Sequence, residues 1–306
     1  MKDGVKTLDA LVKLKQELEN HDKGLSKQAA QQNRMGDIAT ERNKQIKCEF
    51  YHDNFQNYKR YNIRRAQLVI ADIPYNIGTN AYGSNPMWYN GGDNANGESK
   101  YAKKAFFNGD GDFNIAEYMH FCSKMLIKEP KERGKAPAMI VFCAFEQIQM
   151  VQELGKKHGF KNSFPLIFCK NYSAQVLKAN MGIVGATVYA VVLYRDKLPK
   201  FRNVGEDGKK HAIFNWFEWK RDSQKVYPKI HPTQKPVSVL KRLIEIFTDP
   251  GDVIIDPCAG SGSTLRAAAE LGRNVYGFEV STKFYNEAKE KMLDGHLTKC
   301  SEGVVV

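Results

Sequence analysis

No apolar stretch in this chain of 306 residues approaches the roughly 18 to 20 residues needed to cross a bilayer as a helix, so no membrane span is expected. Cysteine is sparse. The six cysteines, at positions 48, 122, 143, 169, 258 and 300, stand singly. The absence of any C-x-x-C pair excludes a zinc ribbon or a disulfide scaffold. Several sit inside apolar runs such as Ile140-Val141-Phe142-Cys143, where buried, reduced thiols are expected. No His/Cys cluster has zinc spacing either, so no metal is expected. The opening residues Met1-Lys2-Asp3-Gly4 begin a charged segment rather than a secretory core, and a cytoplasmic protein is expected. Acidic residues are in deficit: 34 Asp and Glu face 46 Lys and Arg, a formal net charge of +12 that favours polyanionic partners through phosphate contacts.

What is present has the composition of an ordinary globular chain, long enough for one large domain with elaborations. Leu8, Leu11, Val12, Leu14 and Leu18 recur at helical spacing, and residues 20–47 are rich in Gln, Asn, Lys and Arg. Residues 1–45 therefore read as a helical N-terminal extension, either a solvated face or a contact for DNA or a partner chain. The run Ala66-Gln67-Leu68-Val69-Ile70-Ala71 has the apolar, β-branched character of a strand buried on both faces, and it stops at Asp72-Ile73-Pro74-Tyr75. A long Asn/Gly-rich loop follows over residues 76–99. Beyond it the pattern predicts helices at 114–127 and 146–158 and strands at 138–144, 164–169 and 187–194. Residues 195–228 lack periodicity and mix Lys and Arg with Phe201, Phe214, Trp216, Phe217, Trp219 and Tyr227. Regular alternation then returns: a helix at 237–247, a strand at 252–256, a helix at 264–271, a strand at 274–278 and a helix at 284–292. Alternating strands and helices predict a doubly wound α/β sheet.

The strongest local signal is Asp256-Pro257-Cys258-Ala259-Gly260-Ser261-Gly262-Ser263-Thr264, between a strand and a helix start. Glycines there let a ligand approach the backbone, and the helix N-terminus offers unpaired N–H donors. Glu279 ends the next strand about twenty residues on, where a carboxylate can accept hydrogen bonds from both hydroxyls of a ribose. Strand, turn, helix, strand and acid in this order describe a nucleoside cofactor pocket.

Residues 256–264 resemble the Asp-Pro-Phe-x-Gly-Ser-Gly-Thr-Thr motif of the amino methyltransferases that modify DNA, with Cys258 in place of the aromatic. His231-Pro232-Thr233-Gln234-Lys235-Pro236 is similar to that family's segment preceding the cofactor strand, and Asp72-Ile73-Pro74-Tyr75 to its Asp-Pro-Pro-Tyr catalytic motif, with Ile73 departing from the pattern. The resemblance covers roughly residues 45–294 and implies a Rossmann-like methyltransferase sheet. S-adenosylmethionine is the implied cofactor, bound by Asp256, Pro257, Cys258, Ala259, Gly260, Ser261, Gly262 and Glu279, with Thr233 and Lys235 on the methionyl carboxylate. Asp72 and Pro74 would accept the amino protons of a flipped-out base stacked on Tyr75 and seated by Asn76. The catalytic motif precedes the cofactor motif, as in the β arrangement of the family.

Double-stranded DNA is the implied substrate, and Asp at the first catalytic position favours adenine N6 over cytosine N4. The implied division is a helical extension at 1–45, a catalytic domain at 46–294 and a tail at 295–306. Within the catalytic domain, residues 195–228 form an insertion that either recognises the target or covers the sheet edge. A role in restriction and modification and a homodimer both fit the family. RNA or protein-amide methyltransferases, which more usually carry Asn first and place the cofactor motif earlier, fit less well. An inactive DNA-binding relative is the remaining alternative, for which Ile73 and Cys258 are the suspicious substitutions.

Overall fold

In the computed structural model the described residues are 46–74, 113–172, 175–178, 181, 183–204, 207–231 and 233–294. The helical extension at 1–45, the Asn/Gly loop, Tyr75, Asn76 and the tail at 295–306 lie outside them. Among the described residues, eight strands form one sheet: β1 (Cys48–Tyr51), β2 (Leu68–Asp72), β3 (Ala138–Cys143), β4 (Asn162–Lys170), β7 (Thr187–Tyr194), β8 (Trp216–Trp219), β9 (Val253–Asp256) and β10 (Asn274–Phe278). Their spatial order is β1-β10-β9-β2-β3-β7-β4-β8. Every neighbouring pair is parallel except those made by β7, which runs antiparallel to both β3 and β4. A separate hairpin pairs β5 (Gln175–Lys178) with β6 (Ile183–Gly185).

The helices cover both faces, and the strands are correspondingly apolar on both. Leu68 and Ile70 of β2 and Ile140 and Phe142 of β3 point into one apolar layer with α3 (Val237–Phe247) and α4 (Ser263–Glu270). Val69, Ala71, Met139 and Val141 point the other way, into a layer with α1 (Ile115–Met125) and α2 (Ile148–Lys157). In α1 the buried Tyr118, Met119, Cys122 and Met125 recur at the three- and four-residue spacing of one helical face. Its start is fixed by Asn114, whose side chain accepts from the N–H groups of Ala116 and Glu117 at 3.0 and 3.2 Å. The last helix, α5 (Thr282–Glu287), runs on into a π turn at Ala288–Leu293.

The doubly wound sheet matches the expectation, and most predicted elements fall within two residues of the observed ones. The segment 195–228 departs from it, because Trp216–Trp219 is the sheet's eighth strand, parallel to β4. Inward Phe217 stacks on Phe168 with ring centroids 5.4 Å apart, and buried Trp219 meets the same ring edge-on. The two-residue period was hidden because outward Trp216 is also aromatic and stacks on exposed Phe214. Strand β1 was likewise missed: its four half-buried residues carry no alternation, and its partner β10 is more than two hundred residues away.

Chain order reverses between β9 and β2, since β9 leads outward to β10 while β2 leads the other way to β3. Such a switch point opens a crevice at the carboxyl ends of the two central strands, here at Asp256 and Asp72. Close packing of α4 onto β10 depends on Gly277, where a Cβ would lie 2.5 Å from Leu265 Cδ1 and 3.1 Å from the Ala259 Cβ. Gly277→Val is therefore expected to cost about 1–3 kcal/mol through overpacking, read as a lower melting temperature. An unchanged melting temperature would show that Leu265 repacks freely.

Candidate active site

The crevice has two halves, on strands about 4.8 Å apart. On one side β9 ends at Asp256, whose Oδ1 accepts the Cys258 N–H at 3.0 Å. Gly260 and Gly262 take φ of +51° and +71°, the left-handed region that side chains resist. Those conformations let the Gly262 N–H close on Ala259 O at 2.8 Å and launch α4. A Cβ on Gly260 would meet nothing within 4 Å, so the turn faces open space. Ser261 and Ser263 share a hydroxyl hydrogen bond at 2.9 Å beneath it.

Glu279, just past β10, clasps this turn. It accepts the Gly260 N–H at 2.9 Å and the Ser281 N–H at 2.7 Å. Burial raises its carboxyl above the ordinary range, opposed by these backbone hydrogen bonds. Each oxygen keeps lone-pair capacity for a further donor. Burial also pushes the Cys258 thiol well above its ordinary value, so it acts as a small apolar wall rather than a nucleophile.

Burial pushes the Asp256 carboxyl up to about 7, opposed by its hydrogen bonds from Thr264 and Cys258. Its folded pKa thus exceeds the unfolded value of about 3.9, so the folded state holds the proton more tightly. The resulting stability is present below the unfolded pKa and is lost as pH rises through about 7. Asp256→Asn keeps an acceptor for the Cys258 N–H and has no charge to bury. Its melting temperature should gain on the parent more at about pH 8 than at about pH 5. A gap that does not change with pH would refute this account.

On the other side β2 ends at Asp72. The next residue, Ile73, is buried with α1 in the core, and its N–H donates to Phe142 O at 3.2 Å. A proline has no such N–H, so Ile73 adds a tether between the end of β2 and β3 that the motif's usual proline could not make. Pro74 O accepts from Gln147 Nε2 at 3.0 Å. Asp72 Oδ2 is ion-paired with the Lys235 ammonium, whose side chain is only 9 % exposed and lies over the Phe142 ring.

Lys235 reaches Asp72 from the turn before α3. Asp222 caps that helix from a distance, accepting the Val237 N–H at 2.5 Å and the Ser238 N–H at 3.3 Å. Gln234 ties the turn down through Ile230 N–H and Pro228 O, at 2.9 and 3.0 Å. Thr233 donates its N–H to His231 Nδ1 at 3.3 Å. Burial, then the nearby Lys235 charge, lowers the His231 pKa to about 4, which keeps the ring neutral near pH 7. Beside the pair, burial and Lys235 lower the Lys170 pKa to about 8. Its ammonium lies 5.0 Å from the Trp219 ring centre. Arg221 stacks on Tyr172 at 3.8 Å, and the Tyr172 hydroxyl accepts from Trp219 Nε1 at 3.0 Å.

The structure thus gathers Asp256, Pro257, Cys258, Ala259, Gly260, Ser261, Gly262 and Glu279 at one wall, and Asp72, Pro74 and Lys235 at the other. Lys235 was expected at a cofactor carboxylate and is found engaged with Asp72, while Thr233 is engaged with His231. Gln147 and Asp222 went unnoticed in the sequence, where an isolated Gln or Asp carries no motif. Among the described residues no group of three or more His, Cys, Asp or Glu could hold a metal ion. None of the helices searched there is long and apolar enough to cross a membrane.

Comparison with known proteins places this crevice in context. The profile of a family described as DNA methylase, of the N6/N4 methyltransferase kind, matches residues 66–290. A protein described as a methylase, YubD of Escherichia coli (strain K12), is 28% identical over 158 residues, which cover 52% of this chain and 63% of that protein. The type II methyltransferase M.HindIII of Haemophilus influenzae is 42% identical over 62 residues, 20% of each chain. The matched regions thus span less than two thirds of either relative. Among solved structures, the M1.HpyAVI–SAM complex superposes with a TM-score of 0.57 at 19% identity, covering 80% of this chain and 98% of that one. The PvuII cytosine-N4-specific DNA methyltransferase superposes with a TM-score of 0.52 at 14% identity, covering 82% and 90%. At these identities the superpositions establish the fold.

Proposed function

Because the chain belongs to the DNA methylase family of N6/N4 amino methyltransferases, we propose that it transfers a methyl group from S-adenosylmethionine to the N6 amino group of adenine in double-stranded DNA. The observation that carries this reading is the adjacency of Asp72 to the turn at residues 256–262, across neighbouring parallel strands.

The residues present fit the cofactor. The open face above Gly260 admits a ligand to the backbone, and the part-buried Glu279 carboxylate can accept from two ribose hydroxyls. Pro257, Cys258 and Ala259 wall the adenosyl side. When bound, S-adenosylmethionine supplies an electrophilic methyl group on a sulfonium.

An exocyclic amino group is a poor nucleophile because its lone pair is delocalised into the ring. The Asp72 carboxylate and the Pro74 carbonyl accept one amino proton each, which favours a pyramidal nitrogen with its lone pair aimed across the crevice. Lys235 holds one Asp72 oxygen, so the carboxylate meets the base already oriented. Transfer leaves a neutral thioether and releases one proton, for which Asp72 is the base at hand. The target must leave the duplex to reach these groups, at an unstacking cost of a few kcal/mol. Tyr75 stacks on the extruded ring and Asn76 seats it. Asp as the first catalytic residue supports adenine over cytosine.

Lys170, beside Trp219 and near Asp72, and Arg221, over the Tyr172 ring and near Lys170, present cations suited to the phosphates flanking the extruded nucleotide. These two cations support a reading in which the end of β4 and the residues after β8 take part in DNA contact.

The test is transfer of tritiated methyl from S-adenosylmethionine to unmethylated genomic DNA, followed by nucleoside analysis. N6-methyladenine is the expected product. N4-methylcytosine would replace the base, and cofactor binding without label in DNA would overturn the substrate.

A further inference from the structure

The Pro74 carbonyl is held from a distant part of the chain. Gln147, buried in the short 3-10 turn at Phe145–Gln147 that follows β3, donates its Nε2 to Pro74 O at 3.0 Å. Its Oε1 accepts the Ala144 N–H at 3.0 Å. The two partners fix which way the amide points, since an N–H requires the oxygen and a carbonyl requires the NH₂. The contact with Ala144 is ordinary, because a glutamine in the first turn commonly reaches back to the residue that starts it. The contact with Pro74 has no such local explanation, because it joins the end of β2 to the end of β3.

Among the described residues, no backbone pair does this work. Among the described residues the last backbone rung between the two segments is the Ile73 N–H to Phe142 O, and the next donor along β3, the Ala144 N–H, goes to the Gln147 side chain instead. Among the described residues, what holds the peptide plane that bears Pro74 O is therefore a side chain. A carbonyl oxygen has two lone pairs; Gln147 takes one and leaves the other for a second donor. Hydrogen bonds weaken steeply once the angle opens, so rotation of this plane would lose the second donor.

We propose that Gln147 is a positioning residue for methyl transfer, one that orients the Pro74 carbonyl toward the amino group of the extruded base. This rests on the reading in which Pro74 O accepts one of the two amino protons.

The experiment compares the full chain with Gln147→Glu and Gln147→Met, measuring the single-turnover rate of methyl transfer to DNA, cofactor affinity and melting temperature. Gln147→Glu keeps an acceptor for the Ala144 N–H and, when ionised, places a repelling oxygen against Pro74 O. At alkaline pH both variants should transfer about tenfold more slowly or worse, with cofactor affinity unchanged within about twofold. Lowering the pH protonates the introduced carboxylate and returns an O–H donor. Relative to the parent, the rate of Gln147→Glu should therefore recover, whereas that of Gln147→Met should not. Parental rates in Gln147→Glu at every pH overturn the role of Gln147 alone. A parent chain that methylates no DNA overturns the underlying reading, and this inference with it.

Discussion

Asp72→Ala should lower the rate of methyl transfer by about 10²–10³-fold or more while leaving cofactor binding nearly intact, the range seen when one preorganised polar group at a reacting centre is removed. The carboxylate stands at the end of β2, and the glycine turn proposed to hold the cofactor belongs to β9 and β10. On the proposed reading the substitution removes the group facing the amino nitrogen, and it leaves in place the Glu279 carboxylate that holds the Gly260 turn. It also removes the carboxylate facing the Lys235 ammonium, whose side chain is 9 % exposed. Some stability is lost on that account, as for any buried ion pair stripped of one member. The double variant Asp72→Ala, Lys235→Met separates the two effects, since it should regain stability without regaining transfer. The measurement is tritium incorporation at saturating cofactor, with affinity by calorimetry and stability by melting. Residual transfer within about tenfold of the parent would mean that another group activates the base.

Glu279→Ala should act on the opposite half, weakening S-adenosylmethionine binding by about a hundredfold or more while DNA binding persists. Two hydrogen bonds to a charged acceptor contribute about 1.5–3 kcal/mol each. The same substitution frees the Gly260 and Ser281 N–H groups that now donate to this carboxylate, loosening the turn. Glu279→Gln, retaining one acceptor oxygen, should fall between parent and alanine. Because burial raises the Glu279 pKa, the parent's cofactor affinity should decline on acidification at a pH above the ordinary carboxylate range of about 4.3. The sign follows if, as proposed, the ribose hydroxyls donate to the ionised form. An affinity within about threefold of the parent in Glu279→Ala would remove the ribose assignment.

Both halves of the site were legible because each is a local word at a strand end. The run Val253-Ile254-Ile255-Asp256 with its glycines, and Leu68-Val69-Ile70-Ala71-Asp72, carry the apolar signature of buried parallel strands. In such strands the apolar run and the turn that ends it coincide within about ten residues. Strand β8 was illegible for the converse reason: Trp216 faces outward and Trp219 inward with the same chemistry, so no pattern separates the faces. Gln147 and Asp222 were illegible because their roles lie in partners 73 and 15 residues away.

By itself the sequence determined the fold class, the family and the residues at the ends of β2, β9 and β10, because short-range periodicity and glycine placement dictate where strands stop and turns begin. The tertiary structure decided how those ends meet. Sheet order set Asp72 beside the Gly260 turn, and the cap from Asp222 fixed the helix start from which Lys235 reaches the carboxylate. At Ile73, the residue that departs from the motif pattern, the tertiary structure added a backbone tether to β3. These are relations between segments far apart in the chain, settled by which surfaces bury one another, and no local pattern encodes them.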